Sequence, residues 1–432
     1  MKPLKDRLGV SSHMYQGIAP NGDRDFEISQ YTSSGLRRIR QDFLWEQIEP
    51  RRGEFHFEAV QGQVDAARAA GLQLTALLAY GTSWATGGTG NPDAIAPEDF
   101  ANFAGRVAQQ YCTSIKSYEI WNEPDLAGSW PPVPNPTHYG RLLKAAFSAI
   151  KRACPDAQVI LGGLSSYSRP SDRWWFLRSL SAAHPDICAF FDGLGLHPYT
   201  FDQRVPPELN AEIWGVGAQS QVSMTQVARA RLREMGCPDK PLWFTELGWP
   251  SYNAGLSFRV TPAMQARFLI RSLLLGLKED VANLSIYTFW DEDPSSSAGR
   301  PQESHFGLFG WPRSERRAKP AFTAVQNLLA VLGDATTITD VSSEYGFPGD
   351  VYALRISGNR SGRTAIAFWD GRSTAITGVL GVNLSSYRFR LRVPAGTHRA
   401  EWMTMQGRRE PFPIDTDREI LLRGDVSYLL LE

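Results

Sequence analysis

Two glutamates in this chain stand where a pair of carboxyl groups could share one piece of chemistry. Glu123 closes the run Tyr118-Glu119-Ile120-Trp121-Asn122-Glu123-Pro124, and Glu246 closes Leu242-Trp243-Phe244-Thr245-Glu246. Each follows an apolar stretch of strand length, so each carboxyl lies at the end of a buried strand, where a charge is costly unless polar groups surround it. A protonated carboxylic acid facing an ionised carboxylate is the pairing that breaks a glycosidic bond: one assists the departing oxygen, the other attends the anomeric carbon. Taken singly, either glutamate reads better as a helix cap or as the partner of an arginine. Two of them in the same context, each flanked by tryptophan, shift the reading toward catalysis.

The elements that must carry them follow from hydrophobic periodicity. Short β-type runs alternate with amphipathic helical runs, and eight such pairs can be counted. Strands are predicted over Leu8–Ser12, Leu36–Arg40, Gln73–Ala79, Ser117–Trp121, Gln158–Leu161, Gly193–His197, Leu242–Thr245 and Leu284–Phe289. Helices are predicted over Val60–Ala70, Pro97–Gln110, Thr137–Ala153, Asp172–Ala182, Gln221–Met235, Pro262–Glu279 and Lys319–Leu332. Nearly continuous apolar strands separated by helices imply a parallel sheet covered on both faces. The expected fold is therefore an α/β (β/α)8 barrel over residues 1–333. Beyond Gly333 short alternating β runs take over, from Val351–Ile356 to Val426–Leu431, and residues 334–432 read as a smaller all-β sandwich. With only Trp369 and Trp402 as tryptophans there, a buttress against the barrel is favoured over a binding platform.

Composition narrows the partners. Lys+Arg and Asp+Glu balance at 45 each, which argues against nucleic acid as a partner. No apolar run approaches the roughly 20 residues of a membrane span. The first ten residues hold no apolar h-region, so the chain reads as cytoplasmic or as the processed form of a periplasmic or secreted protein. The four cysteines, Cys112, Cys154, Cys188 and Cys237, have no metal-ligand spacing. Each precedes a predicted strand, and buried free thiols are expected, a Cys112–Cys154 bridge being the less favoured alternative. No metal or cofactor is expected, and oligomeric state is not legible.

A barrel of this kind places chemistry at the C-terminal ends of its strands. That map adds His13 after strand one, Arg40 at the end of strand two, Tyr80 after strand three, and His197 and Tyr199 at strand six. Arg40 could hold Glu246 ionised or pair with Asp42. Trp45, Trp84, Trp130, Trp214, Trp249 and Trp290 all fall in segments after strands, and a ring of indoles on that face suits the apolar C–H faces of sugars.

These residues resemble the clan A glycoside hydrolases, (β/α)8 enzymes with an Asn-Glu pair after strand four and a Glu after strand seven. Within the clan the chain is most similar to glycoside hydrolase family 39, in particular its PslG-like exopolysaccharide-hydrolase branch. The likeness runs through Ile39-Arg40-Gln41-Asp42-Phe43-Leu44-Trp45, Ile120-Trp121-Asn122-Glu123-Pro124-Asp125, Gly195-Leu196-His197-Pro198-Tyr199 and Phe306-Gly307-Leu308-Phe309. It implies a retaining mechanism with Glu123 as acid/base and Glu246 as nucleophile, their carboxyl groups about 5–5.5 Å apart. It further implies that Asn122 binds the sugar 2-hydroxyl, that Tyr199 donates to the nucleophile, that His197 lines the subsite and that Trp290 forms its floor. The implied substrate is an oligo- or polysaccharide, a bacterial exopolysaccharide among the candidates. A xylosidase or glucanase of a neighbouring clan A family, or a barrel that only binds carbohydrate, stays open beside it.

Overall fold

The structure, a computed structural model, describes every residue except 1, 15–20, 201–205, 209–210, 214–215, 219, 253–259, 296–300 and 372–385. Eight parallel strands close a barrel: β1 Leu8–Ser12, β2 Arg38–Leu44, β3 Gln73–Ala79, β4 Ile115–Asn122, β5 Gln158–Ser165, β6 Gly193–His197, β7 Leu242–Leu247 and β8 Asn283–Tyr287. Each pairs with its neighbours in chain order, and β1 closes the ring on β8 through Leu8 opposite Leu284 and Val10 opposite Ile286. The outer helices are α1 Asn21–Ser34, α2 Glu58–Ala69, α3 Pro97–Tyr111, α4 Pro136–Ala153, α5 Trp175–Ala183, α6 Gln221–Glu234, α7 Pro262–Lys278 and α8 Pro320–Leu332.

Local chemistry starts these helices where expected. Asn135, Ser220 and Thr261 cap α4, α6 and α7 by accepting from the backbone amide three residues on, and proline follows the cap in α4 and α7. Helix α1 is absent from the sequence expectation. Its large apolar residues are only Phe26, Ile28 and Tyr31, too few for a clear 3.6-residue period.

Beyond α8, eight more strands form among the described residues: β9 Thr337–Asp340, β10 Val351–Ser357, β11 Thr364–Asp370, β12 Tyr387–Leu391, β13 Ala400–Thr404, β14 Arg409–Pro411, β15 Arg418–Leu422 and β16 Ser427–Leu431. Six make one antiparallel sheet in the order β9-β10-β11-β16-β13-β14, and β12 pairs with β15. Alternation sends side chains to two cores. Ile366, Phe368 and Leu429 pack within the sandwich, while Ala365, Ala367, Trp369 and Tyr428 join the core of the barrel. Polar ties complete the junction: Trp369 Nε1 donates to Glu208 (2.7 Å), and buried Arg271 on α7 donates to the Asp370 carbonyl (3.1 Å).

The cysteines correct the sequence expectation of free thiols. Cys112 bridges Cys154 and Cys188 bridges Cys237, with Cα separations of 5.4 and 5.7 Å. The first pair lies just before β4 and β5, the second just before β6 and β7. Ring closure sets the segments preceding adjacent strands side by side, which turns long sequence separations of 42 and 49 residues into contacts. Both bridges sit at the end of the barrel opposite the strand C-termini. Reducing both is predicted to cost roughly 2–4 kcal/mol per bridge and to lower the melting temperature. Thermal melts with and without reductant check this; coincident melts, with four titratable thiols after reduction, would contradict it.

Candidate active site

Strand β4 ends in an abrupt change of backbone direction. Trp121 and Glu123 both adopt left-handed backbone (φ 68° and 46°), a conformation bulky residues avoid unless their surroundings impose it. The imposition is visible. The Trp121 indole is buried against Trp130 and donates to the Ser129 carbonyl (3.1 Å), and the Glu123 amide donates to the Gly163 carbonyl (3.0 Å). Gly163, on β5, is itself forced: a Cβ there would lie 2.2 Å from His197 Nε2. The missing side chain is the seat of the imidazole.

His197, at the end of β6 and fully buried, joins the two glutamates. Its Nδ1 lies 3.0 Å from Glu123 Oε1 and 3.6 Å from Glu246 Oε2, and its Nε2 lies 3.1 Å from Thr245 Oγ1. Because the legs of 3.0 and 3.6 Å share one nitrogen, those two oxygens are at most about 6.6 Å apart, which falls below nearly all of the roughly 6.5–9.5 Å range of inverting carboxyl pairs. Tyr199 donates to Glu246 Oε2 (2.9 Å) and Arg40 Nη1 to Glu246 Oε1 (2.8 Å). Arg40 also donates to Glu119 (2.6 and 3.3 Å), to Asn122 Oδ1 (2.8 Å) and to Ser11 Oγ (3.1 Å). Its bonds thus run to Glu119 and Glu246, where the sequence also allowed a pairing with Asp42.

Charge follows geometry. Burial pushes the Glu246 carboxyl up, but His197, Arg40 and the Tyr199 hydroxyl outweigh it, and the net displacement is below the ordinary value. Burial pushes the His197 imidazole down, but Glu246 and Glu123 outweigh it, and the net displacement is upward. The two shifts are reciprocal: Glu246 favours the charged form of His197, and His197 favours the charged form of Glu246. An ionised carboxylate at one anomeric-carbon distance from a second carboxyl can attack an electrophilic centre while its partner moves a proton.

The pair opens into a cleft of about 400 Å³. Asn122, Arg40, His13 and Tyr199 line it, as do Tyr80, Tyr167 and Tyr287 and the carboxylates Asp42, Glu292 and Glu303. His13 Nδ1 lies 3.3 Å from Glu292. Among the described residues no group of three or more His, Cys, Asp or Glu is arranged to hold a metal ion.

The tryptophans correct the expectation of an indole-lined cleft. Trp45 is buried between Trp84, Phe100 and Phe103, with Nε1 bonded to Glu49. Trp84 donates to the Glu49 carbonyl and lies under Arg52. Trp130 is buried against Trp121 and Tyr139, Trp249 packs on Phe268, and Trp290 is enclosed by Phe26, Phe289 and Phe309. None of these lines the cleft, and Trp214 lies outside the described residues. The largest apolar side chains gain most by leaving water, so the indoles brace the loops from below and tyrosines, whose hydroxyls can bond polar partners, face the cleft.

Sequence reasoning passed over Glu119, Asp125, Tyr167, Tyr287, Glu292 and Glu303. Glu119 had a signal, a lone carboxylate inside an apolar strand, which needs a buried cation such as Arg40. Asp125 had one too, directly after Pro124. The others lie at strand ends or in loops with no local pattern to mark them.

By sequence the chain matches no protein-family model and no curated protein. By structure it is similar to a family 39 glycoside hydrolase from the gut symbiont Bacteroides cellulosilyticus WH2, with TM-score 0.74, 21% identity and coverage of 100% of this chain and 81% of that one. It is similar to a monomeric β-xylosidase from Caulobacter crescentus CB15 (TM-score 0.67, 16% identity, 100% and 97% covered). A family 30 subfamily 8 xylanase from Clostridium acetobutylicum follows (TM-score 0.62, 12% identity, 98% and 95% covered). At these identities what is shared is the fold.

Asp125 generates a pH prediction. It is buried, and both its oxygens accept from the Ser165 amide (3.0 and 3.2 Å). Burial foremost, with the neighbouring Glu123 adding, pushes its carboxyl up to about 7 against the pull of the Ser165 amide. The folded protein therefore holds a proton that the unfolded chain releases near pH 4, so stability falls as pH rises from about 4 to about 7. Asp125→Asn is expected to flatten that part of the stability–pH curve, measured by melting temperature from pH 4 to 8. An unchanged slope would show that Asp125 is not the group responsible.

Proposed function

We propose that this protein is a retaining glycoside hydrolase that cleaves β-type glycosidic bonds in an oligo- or polysaccharide by double displacement. The observation that carries the reading is the single His197 nitrogen in reach of both Glu123 and Glu246, which sets two carboxyl groups over one sugar-sized gap. The barrel, residues 1–333, is the catalytic unit, and residues 334–432 brace it. The sequence resemblance to the PslG-like branch supports a bacterial exopolysaccharide as substrate, and the structural likeness to a β-xylosidase and a xylanase keeps a xylose-type glycone beside it. Two disulfides support an oxidising, extracytoplasmic workplace.

In the first step Glu246, kept ionised by Arg40, His197 and Tyr199, attacks the anomeric carbon while Glu123 passes its proton to the departing oxygen. Asn122 offers its amide N–H to the 2-hydroxyl, since its Oδ1 is taken by Arg40. Ester formation removes the charge on Glu246. Tyr199 and Arg40 then lose an anionic partner, and Glu123, now a carboxylate with no negative Glu246 opposite it, can take a proton from the incoming water. Hydrolysis of the ester restores Glu246 with the anomeric configuration unchanged.

Glu246→Gln is expected to lose several orders of magnitude in kcat on every substrate. Glu123→Gln is expected to lose about 10²–10⁴-fold on disaccharides and far less on aryl glycosides with acidic phenols, which leave without a proton. Proton NMR of the first-formed sugar should show the β anomer. An α anomer would overturn the retaining reading, and wild-type binding of oligosaccharide without any turnover would favour a carbohydrate-binding barrel.

A further inference from the structure

The two flanks of the cleft differ in chemistry. Asn122 bonds Arg40 of β2, and Asp42, Glu292 and Glu303 line that same side, from β2 and the segment after β8. If Asn122 grips the sugar whose bond is cut, that sugar lies over this polar flank. The opposite flank is lined by Leu126, Ser165, Tyr167 and Tyr199, and it carries no charged lining residue beyond the glutamate pair among the described residues.

Tyr167 stands on that flank with 38% of its surface exposed, its ring nearly parallel to Tyr199 (20° between planes, centroids 6.2 Å apart). The turn that presents it is tied down from both sides by groups the proposed reaction does not use. The Asp125 carboxyl accepts from the Ser165 amide, and the Asp125 carbonyl accepts from Ser168 Oγ (2.7 Å). Ser166 Oγ donates to the Tyr199 carbonyl (2.7 Å), and the Ser166 amide donates to the His197 carbonyl (3.2 Å). Asp125, Ser165, Ser166 and Ser168 are all buried. Of this turn Ser165 and Tyr167 line the cleft, Tyr167 being the exposed one, while its anchors are the segment two residues beyond Glu123 and the chain at and just after the strand end that bears His197. A half-exposed aromatic ring held this firmly in register with an acid/base is a preorganised surface.

We propose that Tyr167 is a specificity-determining residue, the stacking platform for the sugar on the leaving-group side of the cut bond. The inference rests on the hydrolase reading and deepens it: the substrate must carry a pyranose ring, with an apolar C–H face, on the departing side. The platform gains contact only when such a ring is present, so its removal changes selectivity among leaving groups.

The test compares β-glucosyl, β-galactosyl, β-mannosyl and β-xylosyl fluorides with the matching β-linked disaccharides, in wild type and in Tyr167→Ala, Tyr167→Leu and Tyr167→Phe. Fluoride is one atom and reaches no platform. For Tyr167→Ala and Tyr167→Leu the ratio of kcat/KM on the disaccharide to kcat/KM on the fluoride is expected to fall roughly tenfold, chiefly through KM, and for Tyr167→Phe to stay within about twofold. Melting temperatures identify a variant that fails to fold, in which case the remaining one carries the comparison. A ratio unmoved in the folded variants, or one moved equally by Tyr167→Phe, would overturn the platform alone. If wild type turns over none of the fluorides, the hydrolase reading falls first and the platform with it.

Discussion

A guanidinium sealed inside the barrel holds the site together. Arg40 is 2% exposed, with Glu119 beneath it at 2.6 Å and Glu246 above it at 2.8 Å. Burial alone would favour its neutral form, yet the two carboxylates outweigh burial and hold it more firmly charged than an ordinary arginine. The dependence is mutual: removing one partner from such a cluster typically costs about 3–5 kcal/mol, because a charge is left buried without compensation. The fork geometry of arginine lets one side chain fix Glu119, Glu246, Asn122 and Ser11 together, which a lysine could not do. Four strands are thereby held in register at the height where chemistry is proposed.

The rest of the molecule protects that register. Two disulfides tie adjacent units at the far end of the barrel, and the antiparallel sheet covers the flank formed by α7 and α8 with a face continuous with the barrel core. Glu208, on the segment after β6, reaches Trp369 in that sheet, so a loop of the active face is braced from outside the barrel. Above the hub, the left-handed backbone at Trp121 and Glu123 and the empty Cβ position of Gly163 make room for His197 between the glutamates. Rigid strands below and polar ties above make a site that is preorganised, as electrostatic catalysis requires.

Much of this is legible in residue order, and the exceptions have physical reasons. Strands β1, β3 and β6 coincide with their predicted runs to the residue, since no Asp, Glu, Lys or Arg interrupts them. Strand β2 runs to Leu44, beyond the expected end at Arg40, because Arg40 and Asp42 break the apolar pattern while serving the cleft. Sites that violate a local rule are where function is concentrated. Glu123, Glu246, Asn122, Tyr199, His13 and Arg40 do converge, because barrel topology converts strand-end position into proximity. The tryptophans mislead because position after a strand does not tell whether a side chain turns toward solvent or under its own loop. The disulfides mislead because pairing depends on ring closure, which spacing alone does not express.

The most direct test of the account is whether Glu246 becomes covalently linked to the sugar. Incubation with a 2-deoxy-2-fluoro-β-glycosyl fluoride of an accepted glycone should slow deglycosylation enough to trap the ester. Intact mass should rise by one fluoroglycosyl unit, and peptide mapping should place it on Glu246 with Glu123 unmodified. A label on any other residue, or steady turnover of the accepted glycone with no adduct and inversion at the anomeric carbon, would contradict the account.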